Sequence, residues 1–206
     1  MSNLISIKHL KKDGTADSRM FLPVIDALVE GEKVIIPVDG IHGVARIPNK
    51  KTIKSIHDIL PEYVVSDFQP LSRLISISKK EYDFLKRIWP DEITVIMASS
   101  EELSSSVHAR IPYSPVSHEI VQQSGGIVEF FPLINAKGKI LTTLCEIERQ
   151  MHDKIKTGLI VEEWCKKHPL PTLIDIRMNR LHLVRQGRVS IEDISSLYFL
   201  GSQEDG

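Results

Sequence analysis

Residues Val34 to Gly43 read VIIPVDGIHG, and this stretch decides the fold class. Three consecutive apolar β-branched residues that end at a proline predict a short strand buried on both faces. The chain then turns through Asp39 and Gly40. Open α/β sheets bind ligands beyond the carboxyl ends of their strands, so Asp39 and His42 could face a crevice there. The local pattern favours a tight turn, with Asp39 bonded to its own backbone and both glycines at positive φ.

Helical and strand patterns alternate on both sides of this stretch. Residues 21–28 carry apolar side chains at helical spacing, with Ser18 as the cap and Gly31 as the stop. Ser78 and Glu81 form a capping-box pair. The other predicted helices cover residues 53–60, 78–89, 116–123 and 141–155, and Ser190 and Asp193 cap a short last helix. Further strands are predicted over residues 71–77, 92–98, 107–111, 127–131, 172–176 and 181–185. Residues 62–69 and 99–106 are predicted loops.

The domain organisation follows from this alternation. No internal repeat or low-complexity linker interrupts the 206 residues, so one α/β domain over residues 1–206 is favoured over two. The tail GSQEDG, residues 201–206, is expected to fray.

Composition and charge exclude several classes of protein. Hydrophobic residues make up 42% of the chain and charged residues 26%, which is typical of a soluble globular protein. The net charge of −1 provides no general attraction for nucleic acid or an anionic membrane. Cys145 and Cys165 are the only cysteines, which excludes a disulfide framework and a four-cysteine zinc site. Without an export signal or a long apolar run, we expect a cytoplasmic protein with no membrane partner.

Common catalytic motifs are absent from the sequence. The eight histidines are scattered, so we expect no metal site, and no serine lies in a nucleophile elbow. Gly125 and Gly126 precede a predicted strand, which favours a turn over a phosphate-binding loop.

Two basic segments deserve a functional interpretation. In VHARIP, residues 107–112, alternation places His108 and Arg110 on one strand face, and a solvated face is favoured over an anion-binding wall. In RMNRLHLVRQGR, residues 177–188, Arg185 shares a face with the leucines of its strand. Burial of an unpaired guanidinium is costly, so Asp175 or a bound phosphate should lie close, and RNA phosphates are a further possibility.

The order of these segments resembles the YrdC/TsaC family over residues 18–194. The segments are the first helix, VIIPVDGIHG, WPDEIT, ARIP, PTLIDI and LVRQGRVS. The resemblance implies a twisted open mixed β-sheet with helices packed on it and a concave cavity. It also implies synthesis of threonylcarbamoyl-adenylate from L-threonine, bicarbonate and ATP, with Mg²⁺, for the threonylcarbamoyladenosine modification of tRNA.

The family's motifs are partly kept. Its Pro-Thr-Asp-Thr-x-Tyr-Gly signature falls on residues 37–43, its Trp-Pro-Gly-x-x-Thr segment on residues 89–94, and its Arg-Val-Pro strand on residues 110–112. Its Ser-Thr-Ser-Ala-Asn loop falls on residues 131–135 and keeps the asparagine. The nucleotide or substrate site implied by the resemblance consists of Asp39, His42, Arg110, Asn135, Thr172 and Arg185.

The family's Lys-x-Arg pair, which faces the nucleotide phosphates, falls on Tyr63 and Val65, and neither carries a charge. Adenylate formation needs cations where negative charge develops on the phosphates. The loss of two cations therefore predicts reduced or lost catalysis, unless Lys50, Lys51 or Arg73 replaces them.

Three functions remain open on the sequence. The first is a divergent threonylcarbamoyl-adenylate synthase that uses ATP and Mg²⁺. The second is a non-catalytic module that binds RNA or a nucleotide, with tRNA-modification proteins as possible partners, although an isoelectric point near 6.7 argues against strong RNA binding. The third is an interaction domain whose cavity has a new apolar lining from Tyr63, Val65, Phe131 and Leu133. The sequence does not define an oligomeric state.

Overall fold

The computed structural model describes residues 3–48, 60–100, 106–135, 137–151, 155–165, 168–178 and 180–200. In these parts, the chain forms a single α/β domain with a ten-stranded mixed sheet and six α-helices, and the α/β class is the one that the sequence predicts. All but the last residue of the predicted helix over residues 53–60, most of the 99–106 loop and the tail lie outside the described residues.

The strands are β1 (Asn3–Ile7), β2 (Val34–Val38), β3 (Ile41–Arg46), β4 (Glu62–Val65), β5 (Ile93–Ala98), β6 (Ser106–Arg110), β7 (Ile127–Pro132), β8 (Thr157–Val161), β9 (Thr172–Asp175) and β10 (His182–Arg185). The helices are α1 (Leu22–Val29), α2 (Phe68–Leu71), α3 (Lys79–Ile88), α4 (Pro115–Gln123), α5 (Leu144–Met151) and α6 (Ile191–Leu200), with short 3₁₀ helices at Ser18–Met20 and Glu162–Trp164. None of these helices has the length and apolar composition needed to cross a bilayer.

The strand order in the sheet is β1-β8-β2-β3-β7-β4-β6-β5-β9-β10. The pairs β1–β8, β2–β8, β4–β6 and β5–β9 are parallel, and the other pairs are antiparallel. Sequence neighbours pair only in the hairpins β2–β3, β5–β6 and β9–β10. The remaining pairs join distant segments, so local patterns in the sequence do not specify them.

The two faces of the sheet are covered unequally. Val64 of β4 packs with α1 and α4 in one apolar cluster, which defines the α1 face. Val65, the next residue, packs with α3 and α6 on the opposite face. Among the described helices, α1 and α4 cover the half of the α1 face around β2, β3 and β7, and the half around β5, β6 and β9 has no helix packed on it. This uncovered half can hold a cavity.

Helix α3 is the element that the sequence predicts best. The Ser78 Oγ accepts a hydrogen bond from the Glu81 backbone N–H at 3.2 Å, and the Glu81 carboxylate accepts one from the Ser78 backbone N–H at 2.7 Å. The predicted capping box is therefore confirmed. Both hydrogen bonds satisfy N–H groups that the first turn of a helix leaves free.

Two neighbouring predictions were wrong. Residues 71–77, predicted as a strand, contain the end of α2 and only one isolated bridge, between Ile75 and Ser99. Residues 62–69, predicted as a loop, contain β4, which pairs with both β6 and β7. The Asp67 side chain accepts a hydrogen bond from the Gln69 N–H and starts α2, which takes in Leu71, the first residue of the predicted strand.

The sequence analysis also missed three strands and predicted one helix too long. Strand β3 directly follows the Asp39–Gly40 turn, in a segment for which the sequence analysis predicted no strand. Strand β1 lies in the opening segment, and β8 follows the fifth helix. The described part of that helix is Leu144–Met151, and Ile155, the last residue predicted for it, is not helical. Strand β8 is almost fully buried and pairs in parallel with β1 and β2. Its continuous apolar run fits a buried helix or a buried strand equally well, and only the pairing partners decide between them.

The turn of VIIPVDGIHG is a tight hairpin turn between β2 and β3, as predicted. Asp39 and Gly40 have φ values of +46° and +85°. Gly43, in contrast, lies inside β3 and does not have a positive φ. A Cβ atom there would come within 2.3 Å of the Phe130 ring, so the close approach of β7 requires the second glycine.

His42 joins the hairpin to β8. The ladder between β2 and β8 ends at the pair Ile35–Gly158, and Pro37 has no N–H to extend it. Beyond that point, the Nε2 atom of His42 accepts a hydrogen bond from the Val161 N–H at 3.0 Å. Burial lowers the pKa of His42 to about 4, so the ring is neutral and can act as this acceptor.

Replacing Ser78 with alanine removes the cap of α3. We expect Ser78→Ala to lower the free energy of unfolding by about 1 kcal/mol, because one N–H of the first turn loses its acceptor. Urea unfolding measures this loss. The matched control is Ser76→Ala, at an exposed serine two residues earlier, which should leave stability unchanged. Equal stability of the two variants would contradict the assigned cap.

The hydrogen bond to His42 predicts acid sensitivity. An unfolded histidine titrates near pH 6.5, whereas the folded His42 titrates near 4, so the unfolded state binds the proton first as the pH falls. Stability should therefore decrease between these two pH values, by about 3 kcal/mol in total. Unfolding in urea at several pH values measures this decrease, and His42→Gln should remove it. His9→Gln, at an exposed side chain, should leave it in place.

Candidate functional site

A cavity of about 410 Å³ lies on the uncovered half of the α1 face. Its polar lining residues are Glu62, Thr94, His108 and Arg185. Its other lining residues are Leu60, Pro132, Ile134, Gly138, Leu170 and Leu173. We call this space the sheet-face cavity.

Strand register explains why these polar side chains meet. Glu62 of β4 is paired with His108 of β6, and Thr94 of β5 is paired with Leu173 of β9. Paired residues in neighbouring strands point to the same face of a sheet. Residues from six strands, β4, β5, β6, β7, β9 and β10, therefore reach one space although they are far apart in the sequence.

Arg185 reaches the cavity because of an irregularity in β10. The register between β9 and β10 shifts between Leu183 and Arg185, so Arg185 is paired with Leu173 and lines the cavity. The sequence analysis placed Arg185 on the face of Leu181 and Leu183, which instead pack against the opposite cluster. A strict period of two fails at such a bulge.

The partner of Arg185 is a backbone carbonyl. Its Nε and Nη2 atoms donate to the Pro171 oxygen at 3.2 and 3.1 Å. Burial lowers the pKa of Arg185, and the nearby Glu62 carboxylate opposes this shift. Asp175, the carboxylate proposed from the sequence, forms an ion pair with Arg177 at 2.6 Å instead. Among the described residues, Nη1 of Arg185 has no hydrogen-bond partner, so it can bind a ligand.

Glu62 provides the negative charge of the cavity. Its Oε1 atom accepts a hydrogen bond from the Thr94 hydroxyl and lies 2.9 Å from the Nε atom of Arg110. The exposed fraction of the Glu62 side chain is 12%. His108 beside it is half-buried, and burial lowers the pKa of its ring. The carboxylate is thus held in place while it remains accessible from the cavity.

Arg110 lies behind Glu62 and is fully buried, so the solvated strand face favoured from the sequence is wrong. Its Nη1 atom lies 3.2 Å from the Oδ2 atom of Asp39. In the parts of the chain that the structure describes, none of the three guanidinium nitrogens of Arg110 has a hydrogen-bond acceptor in suitable geometry. Charge, rather than directed hydrogen bonds, therefore holds Arg110 between the two carboxylates.

Asp39 is fixed from two sides. Its Oδ1 atom accepts a hydrogen bond from the backbone N–H of Ser114 at 2.7 Å, just before α4, and its own N–H donates to the Ser117 hydroxyl. Burial raises the pKa of Asp39, and Arg110 opposes this shift. The predicted bond from Asp39 to its own backbone is replaced by these contacts with α4.

The other residues implied by the family resemblance have structural contacts outside the cavity. The Thr172 hydroxyl donates to the Val189 oxygen and accepts from the Gly187 N–H. The Oδ1 atom of Asn135 accepts from the N–H groups of Lys137 and Lys139, which closes a turn. His42 contacts β8, as described above. Of the six residues, only Arg185 lines the cavity, and Asp39 and Arg110 lie behind Glu62.

The apolar lining proposed from the sequence is on the opposite face. Tyr63 and Val65 alternate with Glu62 and Val64 and point away from the cavity, and the Tyr63 hydroxyl donates to Glu129 at 3.4 Å. Phe131 and Leu133 likewise alternate with the two β7-side lining residues, Pro132 and Ile134. Of the substitute cations, Arg73 is exposed outside the cavity lining, and Lys50 and Lys51 lie outside the described residues.

Sequence reasoning missed Glu62, Thr94 and His108 as site residues. His108 carried a signal, because alternation already placed it on the face of Arg110. Glu62 was hidden by the loop predicted for its segment, although Tyr63 to Val65 are good strand formers. The side chains of Thr94 and Glu62 meet only through the order of strands in the sheet.

From the residues that the structure describes, the cavity can offer a ligand one cation and one anion. Arg185 and Glu62 carry these charges, with the hydroxyl of Thr94 and the ring of His108 beside them. No group of three or more histidine, cysteine or acidic side chains that could hold a metal ion occurs within the described ranges. The arrangement suits a small ligand that carries both charges.

Comparison with known proteins identifies the family. A family model described as "Telomere recombination", for Sua5, YciO and YrdC proteins, matches residues 26–187. YciO of E. coli has a similar fold, with a TM-score of 0.79 and 14% identity over 94% of this chain and 100% of its own. Sua5 of P. abyssi complexed with L-threonine has a TM-score of 0.77 and 18% identity, and the match covers 95% of this chain and 61% of Sua5.

A part of a larger protein is also similar. HypF in a phosphate- and nucleotide-bound form has a TM-score of 0.63 and 14% identity, over 82% of this chain and 29% of HypF. No curated protein sequence matches the chain. The chain spans about three-fifths of the length of Sua5. Because the family model covers most of its residues, the chain belongs to the Sua5/YciO/YrdC family.

Proposed function

We propose that this chain binds an amino acid of the L-threonine type in the sheet-face cavity. In this proposal, it acts in the threonylcarbamoyladenosine modification of tRNA, with little or no adenylate-forming activity. The observation that carries the proposal is the pair of opposite charges, Glu62 and Arg185, on one cavity of about 410 Å³. An α-amino acid carries the complementary pair at neutral pH.

The two charges can bind the two ends of an amino acid. The Glu62 carboxylate would accept hydrogen bonds from the ligand's ammonium group, and Nη1 of Arg185 would donate to its carboxylate. Hydrogen bonds between ionised groups are short and strong, and they are strengthened by partial burial. The Thr94 and His108 side chains provide polar contacts for a hydroxyl group between these ends.

A nucleoside triphosphate fits the described residues less well. Its phosphates carry several negative charges, and efficient transfer needs several cations around them. Within the described lining, the only cation is Arg185, and the nearby Glu62 would repel a phosphate. Any remaining synthase activity would use ATP with Mg²⁺ as co-substrate. We expect that activity to be slow, because the described lining has too few cations to stabilise the transferring phosphates.

Two further observations support this assignment. The chain belongs to the family that contains Sua5, and a Sua5 structure similar to it was solved with L-threonine. The RNA-binding alternative gains no such support. Of the four arginines in the segment 177–188 that suggested it, Arg177 and Arg188 form ion pairs with Asp175 and Glu92. In this proposal, any contact with tRNA is made by other proteins of the modification process.

Calorimetric titration tests the proposal. We expect purified protein to bind L-threonine, and Arg185→Gln to weaken binding about 10- to 100-fold, because one charged hydrogen bond is lost. The matched control is Arg177→Gln, which removes a neighbouring arginine outside the cavity and should leave affinity unchanged. Pyrophosphate release is measured in parallel with ATP, Mg²⁺, bicarbonate and L-threonine.

Two outcomes would contradict the proposal. One is saturable binding of ATP with Mg²⁺ and rapid threonine-dependent pyrophosphate release, which would show a competent synthase. The other is the absence of L-threonine binding at millimolar concentration in a protein whose melting curve shows that it is folded.

A further inference from the structure

We propose that Asp39 determines the ligand specificity of the sheet-face cavity by acting through Arg110 on Glu62. The negative charge of Asp39 balances the positive charge of Arg110. The negative charge of Glu62 is then left uncompensated at the cavity wall, where it favours a ligand with an ammonium group. This inference rests on the proposed binding of an amino acid. Asp39 is a positioning residue in this scheme, because it does not line the cavity.

The three side chains form a row that leads from the interior to the cavity. Asp39 Oδ2 lies 3.2 Å from Nη1 of Arg110, and Nε of Arg110 lies 2.9 Å from Glu62 Oε1. The side chains of Asp39 and Arg110 have no exposed surface, whereas the exposed fraction of the Glu62 side chain is 12%. A ligand can therefore contact only the last member of the row.

The charges in the row do not balance. Two carboxylates flank one guanidinium, so the three groups sum to −1 when all are ionised. Asp39 and Arg110 cancel in the interior, where the low dielectric makes their interaction strong. The remaining charge lies on Glu62, at the cavity wall. If Asp39 is made neutral, Arg110 cancels Glu62 instead, and the cavity end has no net charge to offer an amine.

The backbone around Asp39 favours its ionised form. The Ser114 N–H donates to its carboxylate at the start of the nine-residue helix α4, where the helix dipole also favours a negative charge. Burial works against this by raising the pKa of Asp39. The charged groups that face it are Arg110 on β6, Glu62 on β4 and Glu92 before β5.

Glu92 belongs to a separate cluster with its own compensation. Its Oε1 atom lies 3.0 Å from Nη1 of Arg188, which also donates to Nε2 of His168 at 2.8 Å. The His168 ring packs directly on Gly40, where a Cβ atom would come within 2.6 Å of it. Arg188 therefore offsets Glu92, and the unbalanced charge of the Asp39 row stays on Glu62.

The experiment compares ligands that differ in one charge. Affinity is measured by calorimetry for L-threonine, N-acetyl-L-threonine and L-threoninol, with the wild type and with Asp39→Asn. We expect the wild type to prefer the free amine of L-threonine over the acetylated amine by tenfold or more. Asp39→Asn should reduce this preference to twofold or less and leave the preference for a carboxylate over the alcohol of threoninol unchanged. Asp175→Asn, outside the cavity, serves as the control.

A ligand-free measurement separates this role from a merely structural one. Glu62 supports the protonated form of His108 on the neighbouring strand. If Asp39→Asn lets Arg110 cancel Glu62, the pKa of His108 measured by NMR should fall relative to the wild type. An unchanged pKa of His108 in a folded variant overturns the proposal.

The outcomes distinguish the two proposals. If the wild type does not bind L-threonine, the proposed function and this inference both fail. If it binds and Asp39→Asn keeps the amine preference, only this inference fails. If Asp39→Asn does not fold, the wild-type pH profile decides. Because burial raises the pKa of Asp39, its carboxylate should become protonated at a pH above the ordinary aspartate pKa of about 3.9, and the preference for the free amine should decrease over that range. A preference that stays constant as the pH is lowered to about 3.9 overturns this inference.

Discussion

The buried guanidinium of Arg110 is the constraint on which the site depends. An unpaired arginine in the interior would be very costly, so its neighbours must provide negative charge. They come from two other elements, the turn between β2 and β3, which carries Asp39, and β4, which carries Glu62. The fold therefore has to bring the hairpin turn, β4 and β6 together, and this requirement orders the centre of the sheet.

The cavity lies where none of the described helices covers the sheet. Helices α1 and α4 pack on the half of the α1 face around β2, β3 and β7, and the other half keeps the polar side chains of β4, β5 and β6. The C-terminal hairpin completes the wall. Thr172 ties β9 to Gly187 and Val189, and Arg185 is bonded to the Pro171 carbonyl. Residues that seemed functional by type, such as Thr172, thus hold the wall of the cavity in place.

Local signals in the sequence predicted the elements that they control. The capping box of α3, the Asp39–Gly40 turn and the hairpin of β9 and β10 are all present. Predictions failed where pairing across the sheet decides the structure. Strand β4 lay in a predicted loop, and β8 was not recognised, because their partners are remote in the sequence. Arg185 was placed on the wrong face because a bulge breaks the period of two.

The sequence by itself determined the α/β class, the family resemblance and the chemical types available to the site. These properties depend on hydrophobic period, turn residues and motif order, which are all local or nearly local. Tertiary structure alone decided which side chains share the cavity. Asp39 and Arg110, predicted as ligand-binding residues, became interior partners, and Glu62 became the carboxylate that lines the cavity. The reason is that strand order and register set the distances between side chains and the burial of each one. A charge that is fully buried can pair only with other groups of the fold, whereas a charge at the cavity wall is accessible from the cavity.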